Sequence, residues 1–181
     1  MFELYVAAGY LELLGVWKLI MSIYIKNATP TDAPVVASFA KALTDEIIVK
    51  TGAQHFNVNI EETTDLCRKL MEQGKYTVLL AVNGESDTCI GFAALCESHA
   101  LYAEGTFGIV QEFYIQPEFR SQKVGSILLE KVAEHAKSLN WKRLELCTPP
   151  LPEFERTVKF YEENGFEVTG GRKMKFVAKN A

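Results

Sequence analysis

The chain has no surplus of positive charge: its 19 Lys and Arg are outnumbered by 23 Asp and Glu, for a formal net charge of -4. A broad nucleic-acid-binding surface needs clustered excess Lys and Arg, so none is expected. Cysteine is sparse as well. Cys67, Cys89, Cys96 and Cys147 form no CxxC pair, and His55, His99 and His135 add no zinc-type spacing, so no metal site is expected. Each cysteine reads as a small buried apolar residue in a reduced, cytoplasmic protein. No GxGxxG opens a βαβ unit, which argues against a dinucleotide-binding domain. Repeats, low-complexity tracts and a dividing linker are also missing.

What is present fits one ordinary globular domain: 181 residues, 48% of them hydrophobic and 23% charged, are enough to bury a core. Met21 opens a stretch that reads as the first strand, so a single domain is expected over 21–181, with residues 1–20 an appended apolar segment. That segment lacks a basic leader and carries Glu3, Glu12 and Lys18. It therefore resembles neither a signal peptide nor a membrane span, and no membrane is expected as a partner. Two uses stay open: an apolar helix covered by the domain or by a second subunit, which would make a homodimer, or a start-site extension without function.

From Met21 on, strand-like and helix-like segments alternate. "SIYIKNAT" reads as a strand, and "PTDAPVVASFAKALTDEII" as a helix capped by Thr31 or Asp32. "EETTDLCRKLMEQG" reads as a second helix ending at Gly74. "KYTVLLAV", "TCIGFAALCESH" and "FGIVQEFYI" then form an antiparallel meander. After it come the helix "QKVGSILLEKVAEHAKSLN", the strand "KRLELCT", the helix "PEFERTVKFYEENG" and a short terminal strand or hairpin around "FEVTGGRKMKFV". Val124, Ile127, Leu128, Val132, Ala136 and Leu139 recur at helical spacing, which predicts a face packed on the sheet with His135 on the solvated side.

The stretch "PEFRSQKVGSILLE" joins the third meander strand to that helix. Pro117 cannot donate to a ladder, so the strand ends there and the turn is short. A tight turn feeding a helix leaves the first N–H groups unpaired at the positive end of the helix dipole, a setting that suits phosphate. Gly125 permits close approach to the backbone, and Arg120 and Lys123 add positive charge. The same residues also fit an ordinary strand-to-helix turn with solvated basic side chains.

"VQEFYIQPEFRSQKVGSILLE" followed by "FERTVKFYEENGF" resembles the GNAT superfamily of acyl-CoA-dependent N-acetyltransferases, most strongly from Val110 to Phe166. The resemblance implies an α/β, GNAT-like fold with a mixed, mostly antiparallel sheet flanked by helices. It implies that acetyl-CoA serves as cosubstrate, with its pyrophosphate on the main-chain amides of Arg120, Ser121, Gln122, Lys123, Val124, Gly125 and Ser126. Pantetheine would lie like an added strand against Phe113, Tyr114 and Ile115. Three positions depart from the family pattern: Lys123 stands at its usual first glycine, Phe154 at a frequent Asn, and Thr157 at a usual Ala.

Acyl transfer to an amine needs a base, because a lysine-like amine with a pKa of about 10.4 is protonated near neutrality. Glu112, just ahead of the expected cofactor contacts, is the candidate; an ion-paired strand residue is the alternative. The resemblance implies that Tyr161 is the acid that protonates the leaving thiolate, while an aromatic core position is the plain reading of the same residue. Glu97 and His99, at a strand end, are expected to border the acceptor site. The expected activity is acetyl transfer to a primary amine, of a small molecule or a peptide, by direct attack. The competing expectation is a noncatalytic acyl-CoA-binding regulatory module.

Overall fold

A computed structural model of the chain describes residues 22–53, 58–103, 105–170 and 176. The expected appended segment at 1–20 and His55 lie outside the described residues. One five-stranded sheet runs in the order β1 (Ile23–Asn27), β2 (Thr77–Asn83), β3 (Thr88–Ala100), β4 (Gly105–Ile115) and β5 (Leu144–Leu146). The first four strands are antiparallel neighbours and β5 is parallel to β4. The helices are α1 (Ala33–Thr51), α2 (Ile60–Glu72), α3 (Val124–Ser138) and α4 (Glu155–Glu163). None of the described helices is long and apolar enough to cross a membrane.

Local chemistry sets the element ends. Asp32 stands where α1 begins, but its carboxylate accepts from the Thr29 N–H at 2.8 Å and pairs with Lys26 at 2.9 Å, fixing the preceding turn instead of the helix. Gly52 closes α1 with φ 68°. The Asn59 side chain caps α2 by accepting from the Glu62 N–H.

Helices cover both faces of the sheet, so β2 and β3 read as unbroken apolar runs, not as alternation. On one face α1 and α2 bring Val36, Phe39 and Cys67 against Val78, Leu80, Phe92, Ala94 and Tyr114, with the Phe39 and Phe92 rings 5.9 Å apart. On the other, α3 and α4 bring Val124, Leu128, Leu129, Val132 and Tyr161 against Leu79, Ala81, Ile90, Leu95, Val110 and Ile115. Leu129 is buried on α3, whereas Leu139, expected on the packed face, is 45% exposed just past the end of the helix.

Two features of β4 position the site. The register against β3 shifts between the Ala94–Glu112 and Leu95–Val110 pairs, leaving Gln111 as an extra residue. Such a bulge makes Val110 and Glu112, two residues apart, face opposite sides of the sheet. Pairing with β5 then stops at Val110–Leu146. Beyond Leu146 the sequence runs "CTPPLP", and the prolines supply no N–H to extend a ladder.

The expected terminal strand does not form over Phe166–Gly170. Phe166 turns back, its N–H bonded to the Tyr161 carbonyl at 3.0 Å, and residues 167–170 are exposed. His135 is not on the solvated side either. It packs edge-on to Trp141 at 5.8 Å, its Nε2 is buried without a hydrogen-bond partner among the described residues, and burial lowers its pKa. Trp141 in turn donates from Nε1 to Glu97 at 2.9 Å and lies over Gly108, where a Cβ would come within 2.2 Å of the indole.

Two expectations follow from this end of the sheet. Gly108→Ala should destabilise the fold by about 3 kcal/mol, because the indole is boxed in by Glu97 and His135 and cannot retreat; denaturant unfolding of the variant checks it. A His whose folded pKa is depressed contributes stability above its unfolded pKa, and that contribution is lost as pH falls towards the folded value. Wild type should therefore lose stability relative to His135→Leu between about pH 7 and pH 5. Parallel stability curves for the two proteins would show that burial does not perturb His135.

Candidate active site

The turn after β4 begins with Pro117–Phe119 as a single 3-10 turn, followed by Arg120 in extended conformation and Ser121 with φ 61°. Lys123 then adopts the left-handed conformation, φ 63° and ψ 0°, immediately before α3. That explains a glycine at this position in the family pattern, since a side chain there costs on the order of 1 kcal/mol. No side chain caps α3, so the amides of Val124, Gly125 and Ser126 have no acceptor from the N-cap residue, and the first intrahelical bond runs from the Ile127 N–H to the Lys123 carbonyl at 3.0 Å. These amides form the positive end of the helix dipole beside the end of β4.

The side chains around the turn are distributed differently from expectation. Arg120 is already committed: its Nε donates to the Ile115 carbonyl at 2.8 Å, and its two terminal nitrogens bind Glu46 on α1 at 3.0 and 2.6 Å. It also stacks over Tyr114 at 5.3 Å. Gln122 donates to the Glu118 carbonyl at 2.6 Å, and Arg156 on α4 donates to the Ser121 hydroxyl. Lys123 is exposed. At Gly125 a Cβ would sit 3.2 Å from the Phe160 ring, so this glycine admits α4 as well as any ligand.

The edge of β4 from Gln111 to Ile115 continues past its last pair with β5. Phe113, Tyr114 and Ile115 lie on this edge, with the Phe113 ring turned towards α4 and Tyr114 towards α1. Glu112 faces the α1 and α2 side, near Tyr76; burial first, and then the Glu112 charge, hold the Tyr76 phenol above its usual pKa. The Glu112 charge also reaches Cys67, whose thiol is raised chiefly by burial.

Tyr161 sits on the opposite face, edge-on to Phe113 at 6.1 Å, Phe160 at 5.2 Å and Phe166 at 5.6 Å. It is 8% exposed, and burial raises its pKa so that the phenol stays protonated. The bulge thus sets Glu112 and Tyr161 on the two sides of one open strand edge. An edge unpaired among the described residues and ending at uncapped amides fits an extended chain that terminates in phosphate.

Other expected residues fall elsewhere. Glu97 and His99 pair with Gly108 and Thr106 near the start of β4, roughly 10 and 17 Å along the strand from Gln111 at the usual rise. Glu97 holds Trp141 there. Phe154 is 6% exposed with the Lys50 ammonium 4.9 Å over its ring, a packing residue where the family pattern often has Asn. Sequence reasoning missed Glu46 and Tyr76. Each reaches the site from a remote stretch of chain, and neither stands in a recognisable spacing with its partner.

Comparison with known proteins agrees with this geometry. The pattern of the acetyltransferase (GNAT) domain matches residues 74–168. An amino-acid acetyltransferase of Pasteurella multocida is 25% identical over 145 residues, which are 80% of this chain but 27% of that relative, so the chain spans about a quarter of its length. A ribosomal-protein-alanine N-acetyltransferase from Brucella melitensis superposes with a TM-score of 0.63 over 86% of this chain and 99% of its own, at 18% identity. An aminoglycoside acetyltransferase from an uncultured soil sample superposes with a TM-score of 0.66 over 90% and 99%, at 10% identity. At such identities these two structures share the fold. With the family pattern spanning the last meander strands, the turn, α3 and α4, the chain belongs to the GNAT superfamily of acetyltransferases.

Proposed function

We propose that the protein moves an acetyl group from acetyl-CoA to a primary amine by direct attack, without a covalent acyl-enzyme. One observation carries this reading: the β4 edge left open beyond Val110–Leu146 ends at the uncapped amides of α3, with Glu112 and Tyr161 on its two sides. The amides from Arg120 to Ser126 are the proposed pyrophosphate cradle, and the backbone of Phe113, Tyr114 and Ile115 the proposed ladder for pantetheine. When bound, acetyl-CoA supplies an activated acyl carbon and a thiolate leaving group.

The chain's own groups handle the protons. Glu112 takes the proton that an ammonium with a pKa of about 10.4 must lose before it can attack, directly or through water. Tyr76, its phenol kept protonated chiefly by burial, lies near that carboxylate. Tyr161, kept protonated by burial, returns a proton to the departing sulfur. The relatives' names point to an amine as the acceptor class, since an amino acid, a protein alanine and an aminoglycoside all present one. One scaffold hosts many acceptors, so the fold does not choose among them.

The deciding experiment is an amine panel that reads released CoA, run on protein first titrated with acetyl-CoA. The cosubstrate should raise the melting temperature, and at least one primary amine should release CoA. A melting shift without turnover on any amine would favour the noncatalytic acyl-CoA-binding module. On an identified amine, Tyr161→Phe should keep the ring packing and acetyl-CoA affinity but lower kcat, by about a hundredfold for a lost general acid. Should the chemical step of that variant run at wild-type speed in pre-steady-state measurement, Tyr161 is an aromatic core residue and the acid lies elsewhere.

A further inference from the structure

The arginine of the turn is the residue whose side chain would ordinarily be assigned to phosphate, yet here each of its three guanidinium nitrogens donates within the protein. Nε donates to the Ile115 carbonyl at 2.8 Å, and the two terminal nitrogens grip the Glu46 carboxylate at 3.0 and 2.6 Å in a forked pair. Such charge-assisted, two-point pairs are geometrically specific as well as strong. Neither partner is a loose surface charge: the side chains of Arg120 and Glu46 are 34% and 22% exposed. Arg120 also lies over Tyr114, whose ring packs against Phe39 of α1 at 5.9 Å.

Glu46 has a second partner. Lys50, one helical turn on, pairs with it at 2.6 Å and places its ammonium over the Phe154 ring at the head of α4. One α1 carboxylate therefore connects three parts of the molecule: the last residue of β4, the turn before α3, and the start of the helix that carries Tyr161. Ile115, whose carbonyl the clamp holds, is on the open β4 edge and is the residue after which the turn begins.

We propose that Glu46 is a positioning residue for acetyl transfer: through Arg120 it locks the end of β4 and the α3 turn in the geometry that receives the acyl-CoA, so that Arg120 serves as a clamp and not as a phosphate ligand. This rests on the proposed cofactor site. A free arginine would act on the phosphates alone. A clamp on the strand end acts on the whole cofactor path, including the part that carries no phosphate.

The test compares wild type with Glu46→Gln and Arg120→Lys, using acetyl-CoA and the phosphate-free donor S-acetylpantetheine. Glu46→Gln should raise KM for both donors by a similar factor, about tenfold, while kcat at saturation stays near wild type. Arg120→Lys keeps the charge but loses the fork and the Nε donor, so it should behave like Glu46→Gln, and the double variant should be no worse than either single one. A loss confined to acetyl-CoA would overturn the clamp and return Arg120 to the phosphates. Hydrogen exchange of the ligand-free protein gives a reading that does not depend on the cofactor. Amides from Gln116 to Ser126 should exchange faster in Glu46→Gln, and unchanged protection there would sink the proposal. If wild type fails to bind acetyl-CoA, the proposed function falls, and the exchange comparison still decides the clamp.

Discussion

The structure depends on the parting of β5 from β4 after the Val110–Leu146 pair. Buried backbone N–H and C=O groups need partners, and an interior strand edge that stops short of its ladder leaves a row of them exposed to whatever enters. Two local causes produce it. The bulge at Gln111 re-aims β4, and the prolines after Leu146 withhold the donors that a longer β5 would need. An extended ligand could satisfy such an edge with main-chain bonds alone, and the side chains of the residues along it, Phe113, Tyr114 and Ile115, are given over to the two cores.

The same bulge decides which face of the sheet Glu112, the proposed base, is turned to. Without the extra residue, Glu112 would share a face with Val110 and point into the α3 and α4 core, where a carboxylate would lack partners. With it, Glu112 meets Tyr76 on the α1 and α2 side, while Tyr161 remains in the aromatic group on the other. Burial among rings keeps the proton on the Tyr161 phenol.

Much of this was legible before any fold was in view. The apolar spacing of α3, the run of meander strands, Pro117 at the strand end and the paired "FRSQKVGS" and "FYEENGF" stretches are local features, and local features survive in sequence. The set of residues on the open edge was legible for the same reason, since consecutive positions on a strand and turn stay neighbours in any fold. Lys123 illustrates how far this goes: the departure from glycine was visible, but its left-handed backbone was not.

What the sequence determined by itself, then, was the order of elements, the strand-turn-helix unit and the residue types that sit on it, because each is governed by interactions within a few residues. The tertiary structure alone decided which distant groups complete them. Arg120 is committed to Glu46 across 74 positions, His135 turns inward against Trp141, Glu97 accepts from the Trp141 indole, and Gly125 is packed by Phe160. Those outcomes depend on how two helical layers settle on a twisted sheet. A side chain's partner across such a layer is set by packing of the whole domain, and no spacing along the chain encodes it.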